Sequence, residues 1–293
     1  VAIKVQNLKK FYRVYQKKLG FIGPNGAGQI IFLSLLFLLA FGQQFDKLYF
    51  IFKEQGFVDF EVYWESTKAA IIGINVYSQQ YTGPGPFNYP PTYLPFFLPF
   101  LLFSKSTTSL LFLFISFFSF LASLFLLTQL FFKKSQRLVV FILISALFIQ
   151  YFPTKFTLTL GQINLIVLFL IIFCFYALKK NRNDLAGVSL AIASLMKIFP
   201  VFLALFFLRE RNKIALYSFL MTLGLGVLIT TFLFDPVLLF DYFKTTGKNL
   251  FLQAGSSSYF DQSLNSFLLR LNFSAYPRLL LRLMVSLITI GIF

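Results

Sequence analysis

The chain of 293 residues contains no histidine, a single cysteine and only 10 acidic residues. Without histidine there is no Ser-His-Asp or Cys-His couple, and a zinc or haem site loses its commonest ligand. The lone thiol, Cys174, lies inside an apolar run. That excludes a disulfide within the chain and predicts a buried, inert side chain. Charge is scarce as well: 12% of residues are charged, against 58% hydrophobic and 20% aromatic, with a mean hydropathy of +0.77. Such a balance is foreign to soluble domains and predicts a polytopic membrane protein. Ten-residue segments of alternating polarity are missing, which argues against a β-barrel and for an all-α transmembrane fold.

What charge there is has one sign. Lys and Arg number 26, for a formal net charge of +16. In a soluble protein this would suggest nucleic acid; here the cations cluster in short links between apolar runs, as cytoplasmic anchors do under the positive-inside rule. No nucleic-acid partner is expected. Runs at 109–132, 162–178, 214–234 and 279–293 approach the ~20 residues that cross a bilayer as helix.

Residues 23–30, GPNGAGQI, have the glycine spacing of a phosphate-cradling loop. Gln29 stands where that loop needs Lys, however, and Ile30 where it needs a hydroxyl for Mg²⁺. The preceding VAIKVQNLKKFY resembles the opening strand of ABC-transporter ATPases, but no Walker B Asp follows. ATP is therefore not expected as a partner, and residues 1–28 read as a basic cytoplasmic segment with a degenerate, non-functional loop.

Residues 29–293 form the expected transmembrane domain. A first span runs from about Gln29 to Gly42, and the polar interval 43–89 holds five of the ten acids: Asp46, Glu54, Asp59, Glu61 and Glu65. With the N-terminus inside, this large first loop is external. Pro90, Pro91, Pro95 and Pro99 interrupt any regular helix that follows. Basic links recur at Lys133, Lys134 and Arg137, at Lys179, Lys180 and Arg182, and at Arg209, Arg211 and Lys213; PTKFTLTLGQIN (153–164) reads as a turn. If all three links are cytoplasmic, 91–132 crosses only once and 184–208 crosses twice or not at all. The Pro-rich run is then a half-membrane segment and 184–208, broken at 197–200, a bent hairpin; the alternative puts one basic link outside.

In the loop, Glu61, Glu65 and Lys68 recur at i, i+4, i+7 and make an exposed ion-paired stripe. Asp59 lies about 200° from Glu61 at ~100° per residue, grouped with Val62, Tyr63 and Ser66 on the apolar side. It is either an N-cap or a carboxylate held at the membrane surface to remove a proton.

The blocks DFEVY (59–63), GINVY (73–77) and FNYPP (87–91), followed in order by TLGQIN (159–164), AGVSLAIASLMKIFP (186–200) and DQSLNSFLLRL (261–271), resemble glycosyltransferase family 87, membrane enzymes of the GT-C fold. The resemblance implies transfer of a sugar, usually mannose, from a polyprenyl-phosphate carrier to a lipid or glycan acceptor outside the membrane, with the catalytic acid mapping onto Asp59. It places the protein as a multi-pass integral protein of the plasma membrane, with membrane lipids as neighbours, and implies further C-terminal helices. Residues 1–28 match nothing in the family, and Asp261 stands where the family pattern has Asn.

Such chemistry needs little machinery. A lipid phosphate is already a good leaving group, so one base, Asp59, suffices where glycosidases need two carboxylates. No cofactor is expected, and no metal ligands are assigned. The leaving phosphate calls for fixed positive charge. Lys197, a cation within an apolar segment, either supplies it or snorkels to an interface. Arg270, Arg278 and Arg282 are further candidates, or ordinary interface anchors. Gln162 and Asn164 either hydrogen-bond a sugar or close the turn after Gly161. Tyr89, Tyr93 and Trp64 either stack on a sugar or belong to the aromatic belt. Two other classes stay open: a transporter or lipid flippase using Lys197 and the broken helices as its path, and a structural membrane subunit.

Overall fold

The computed structural model describes residues 26–42, 57–78, 81–247 and 264–272, together with 281, 284 and 285. Among them every regular element is helical and no strand occurs. The expectations for residues 1–25, for Asp46 and Glu54, and for Asp261, Arg278 and Arg282 lie outside the described residues.

The elements are α1 (Gly26–Gly42), α2 (Val58–Ile71), a broken segment Pro91–Leu102, α3 (Lys105–Phe131), α4 (Arg137–Gln150), α5 (Phe152–Leu160), α6 (Asn164–Lys179), α7 (Asn183–Met196), α8 (Ala204–Arg209), α9 (Lys213–Leu233), α10 (Val237–Asp241) and α11 (Leu264–Arg270). Side-chain caps start the two longest. Ser104 accepts from the Thr107 amide before α3, and Asn212 from the Ala215 amide before α9. These two helices are long and apolar enough to cross a membrane. A third span exists if α4 and α5, bent by 66°, count as one. The bend falls before Pro153, which has no N–H to continue the α4 ladder. The stretch expected as a turn after Tyr151 is thus mostly helix, and only Gly161 and the two residues after it turn the chain.

α3 packs on α6, α6 on α7 and α7 on α9, while α1 lies against α4. Small residues allow the closest approach: a Cβ on Gly187 of α7 would stand 2.2 Å from the Ala215 carbonyl oxygen of α9. Ser189 donates across to the Leu170 carbonyl at 2.7 Å, which satisfies its hydroxyl inside the bundle. The outward faces of α3 and α9 carry bare apolar side chains such as Phe118, Leu228 and Phe232, as a lipid-facing surface would.

The bundle has two chemically distinct ends. Lys179 donates to the Leu130 carbonyl, so α3 and α6 finish together. Asn212 donates to Asn183 at 2.9 Å, which brings the third basic link beside the second. All three basic links therefore gather at one end, and 183–209 leaves it along α7 and returns through α8 as a hairpin. At the other end lie α2, the Pro-rich segment and α10. There Glu61 pairs with Lys105 at 2.5 Å rather than with its own helix. Asn75 donates to Asp241 at 2.5 Å, pinning the loop after α2 to α10.

Candidate functional site

The site forms where α2 meets the turn between α5 and α6. Helix α2 is amphipathic in the expected sense: Phe60, Val62, Tyr63, Trp64 and Ser66 are buried, and Glu65 and Lys68 pair outside at 3.4 Å. Its N-cap is Phe57, with no side-chain cap bond. Asp59 is therefore not the cap; it lies in the first turn, where the amide dipoles favour an anion. Its side chain is half-buried beside the aromatic core.

Gly161 brings the partner to it. This residue ends α5 with φ +68°, a left-handed conformation that costs other residues energy. A Cβ there would also stand 2.7 Å from Phe57 Cβ and 2.9 Å from Phe60 Cβ. Only glycine lets the turn sit this close to α2. Gln162 follows, and its Nε2 donates to Asp59 Oδ2 at 2.5 Å.

From Gln162 a line of hydrogen bonds continues. Asn164, first residue of α6, donates from Nδ2 to Gln162 Oε1 at 2.6 Å. Lys197 donates from Nζ to Asn164 Oδ1 at 2.7 Å. Lys197 ends α7 with extended backbone (φ −149°, ψ 127°), and Pro200, three residues on, has no amide to donate to the Met196 carbonyl, so a regular helix does not run on past it. An ammonium only donates and an ionised carboxylate only accepts, so the two ends fix both amide orientations. Every donor in the line points toward Asp59.

Burial pushes the Asp59 carboxyl above the ordinary carboxylate range, while the Gln162 hydrogen bond and the Lys197 charge pull the other way. Asp59 Oδ1 has no hydrogen bond among the described residues. One carboxylate oxygen is held by Gln162.

Beside the carboxylate stands a tyrosine pair. Tyr63, one turn beyond Asp59 on the same face, donates to the Tyr89 hydroxyl at 2.7 Å. The Tyr89 carbonyl accepts from Tyr77 at 2.6 Å. Burial pushes the Tyr89 hydroxyl up to about 12, so it is a neutral donor near neutrality, with its own proton still unspent. The Tyr63 ring meets that of Tyr89 edge-on at 5.0 Å. Tyr93 and Trp64 are core residues instead of belt or sugar platforms: both are under 9% exposed and pack on Phe97.

Of the residues singled out in the sequence, Asp59, Gln162, Asn164 and Lys197 form one continuous line. Tyr89 is half-buried next to it, and Arg270 is exposed at the end of α11, outside the line. Tyr63 was not singled out in the sequence, although its i+4 spacing from Asp59 had already put it on the same face. No cluster of three His, Cys, Asp or Glu occurs among the described residues.

Residues 87–293 match the family model of glycosyltransferase family 87. The match covers Gln162, Asn164, Lys197 and Arg270, while Asp59 precedes it. Searches of curated proteins and of solved structures found no match.

Proposed function

The chain belongs to glycosyltransferase family 87, a family of membrane glycosyltransferases, and on that premise we propose that it moves a hexose, mannose in the first instance, from a polyprenyl-phosphate sugar to a lipid or glycan acceptor. Membership favours a transferase over the transporter or flippase. The observation that carries the residue assignment is the carboxylate of Asp59, half-buried and tied through one oxygen to Gln162, the other oxygen having no hydrogen bond among the described residues.

In this reading Asp59 Oδ1 takes the proton of the acceptor hydroxyl as its oxygen attacks the anomeric carbon. The new glycosidic C–O bond forms while the bond from that carbon to the phosphate oxygen breaks. The electron pair leaves with the polyprenyl phosphate. A single displacement of this kind inverts the anomeric centre. Lys197 has three N–H donors and spends one on Asn164, which leaves two for the oxygens of the leaving phosphate. Gln162 and Asn164 hold the carboxylate and the ammonium at a fixed separation, and no cofactor enters the scheme.

The gathering of all three basic links at the far end of the bundle supports an external site. Under the positive-inside rule that end is cytoplasmic, so the Asp59 end faces outward in the plasma membrane.

Membranes carrying the chain, given radiolabelled polyprenyl-phosphate mannose, are expected to move label into a lipid or glycan fraction, and to move none from a sugar nucleotide when the lipid donor is absent. Label taken up from the nucleotide alone would refute the lipid-phosphate donor.

A further inference from the structure

Lys197 and Asp59 are joined by three successive hydrogen bonds of 2.7, 2.6 and 2.5 Å, through two amides whose donors all point the same way. Hydrogen bonds in such a chain polarise one another, and those ending on a charged group are the stronger kind. A cation at the head of the line therefore steadies the carboxylate at its tail. An anion seated on the same ammonium cancels part of that field. We propose that the donor's phosphate, on binding Lys197, strengthens Asp59 as a base through Asn164 and Gln162, so that the site becomes fully reactive only once the sugar donor is in place. The proposal rests on the reading of Lys197 as the phosphate-binding cation.

The geometry makes the coupling specific. Asn164 is the only residue that touches both Lys197 and Gln162 in the line, and Gln162 is fixed by the Gly161 turn rather than by a mobile loop. Other groups on the elements packed around Asp59 are ill placed to mask the effect. The hydroxyls of buried Tyr63 and Tyr93 and of half-buried Tyr89 are held neutral, Glu61 is tied to Lys105, and Lys155 is the cation on α5. The consequence is an ordered reaction. Before the donor arrives Asp59 is the weaker base; with the donor bound it can take the acceptor's proton; departure of the polyprenyl phosphate resets it.

The test needs no sugar transfer. The chain in detergent is titrated with pH while the infrared carboxyl band of protonated Asp59, identified by its absence in Asp59→Asn, is followed with and without farnesyl phosphate. The expected result is an upward shift of the midpoint by about half a unit or more on adding the phosphate, as the field of one partly screened charge would give. Lys197→Arg keeps the shift and Lys197→Gln abolishes it. Should the Gln variant not fold, Asn164→Leu, which keeps the ammonium, must show a smaller shift than the unsubstituted chain. A midpoint that farnesyl phosphate leaves in place, or moves equally without the ammonium, overturns the coupling. A shift in a chain that transfers no sugar would sink the proposed function alone, and transfer without a shift would sink the coupling alone.

Discussion

Two pairings of a carboxylate with a cation, one at each end of the bundle, differ in how far they are buried, and the net effect on the carboxylate is opposite. At the basic end Arg182 lies 3.5 Å from Asp184, with side chains 60% and 55% exposed. Asp184 is held below its ordinary range, first by the Leu185 amide and then by Arg182. At the other end Asp59 is raised by burial, and its cation acts through two interposed amides. Water separates the two cases. Exposed charges are screened and replaceable, whereas half-buried ones must be placed by the fold and then govern one another. The first pairing sits exposed at a helix end; the second is the one proposed to do chemistry.

That contrast should break most visibly at Gly161. Gly161→Ala forces a left-handed alanine against Phe57 and Phe60. It should cost about 2–4 kcal/mol in stability, from backbone strain plus overpacking, and lower transfer more than ~10-fold by moving Gln162 off Asp59. Thermal unfolding in detergent and the transfer assay check the two halves.

Gln162→Leu should act on pH dependence more than on folding. A general base works only when ionised, so the rate falls below its pKa. The Gln162 bond lowers that pKa; removing it moves the acid limb of kcat/KM to higher pH. The same linkage gives the sign for stability. Because folding raises the Asp59 pKa, its contribution is fully present below the ordinary value and is lost as pH rises through the folded one. Unfolding followed upward in pH from below the ordinary carboxylate value should show this loss, and Asp59→Asn should flatten it.

Smaller effects sharpen the comparison. Tyr63→Phe removes one hydrogen bond to Tyr89 and should cost about 1 kcal/mol, with transfer reduced only a few-fold. Arg182→Gln and Asp184→Asn, at the screened end, should leave both transfer and melting temperature unchanged. A marked loss of transfer there would mean that the basic end takes part in the reaction.

Much of this was legible in the chain. Helical spacing alone turned Asp59 toward the aromatic face, and the scarcity of charge inside apolar runs singled out Lys197. Gln162 and Asn164 could be picked out, but not what they bond. Their blocks are separated by a hundred residues from Asp59 and by thirty from Lys197, and only the Gly161 turn and the break after α7 bring them together. Trp64 and Tyr93 were misjudged for the same reason. An aromatic near a membrane surface is equally compatible with a belt and a core until the packing of Phe60, Phe97 and Phe112 is seen. The number of crossings was unreadable because a hairpin that returns to its own end, as 183–209 does, has no periodicity of its own.

The most direct test is transfer from radiolabelled polyprenyl-phosphate mannose by membranes carrying the chain or its Asp59→Asn variant at equal expression. With Asp59 as the base, the variant should lose at least ~10²-fold in rate. Transfer persisting within a factor of about two would contradict that role and return the search for the base to the neighbouring residues.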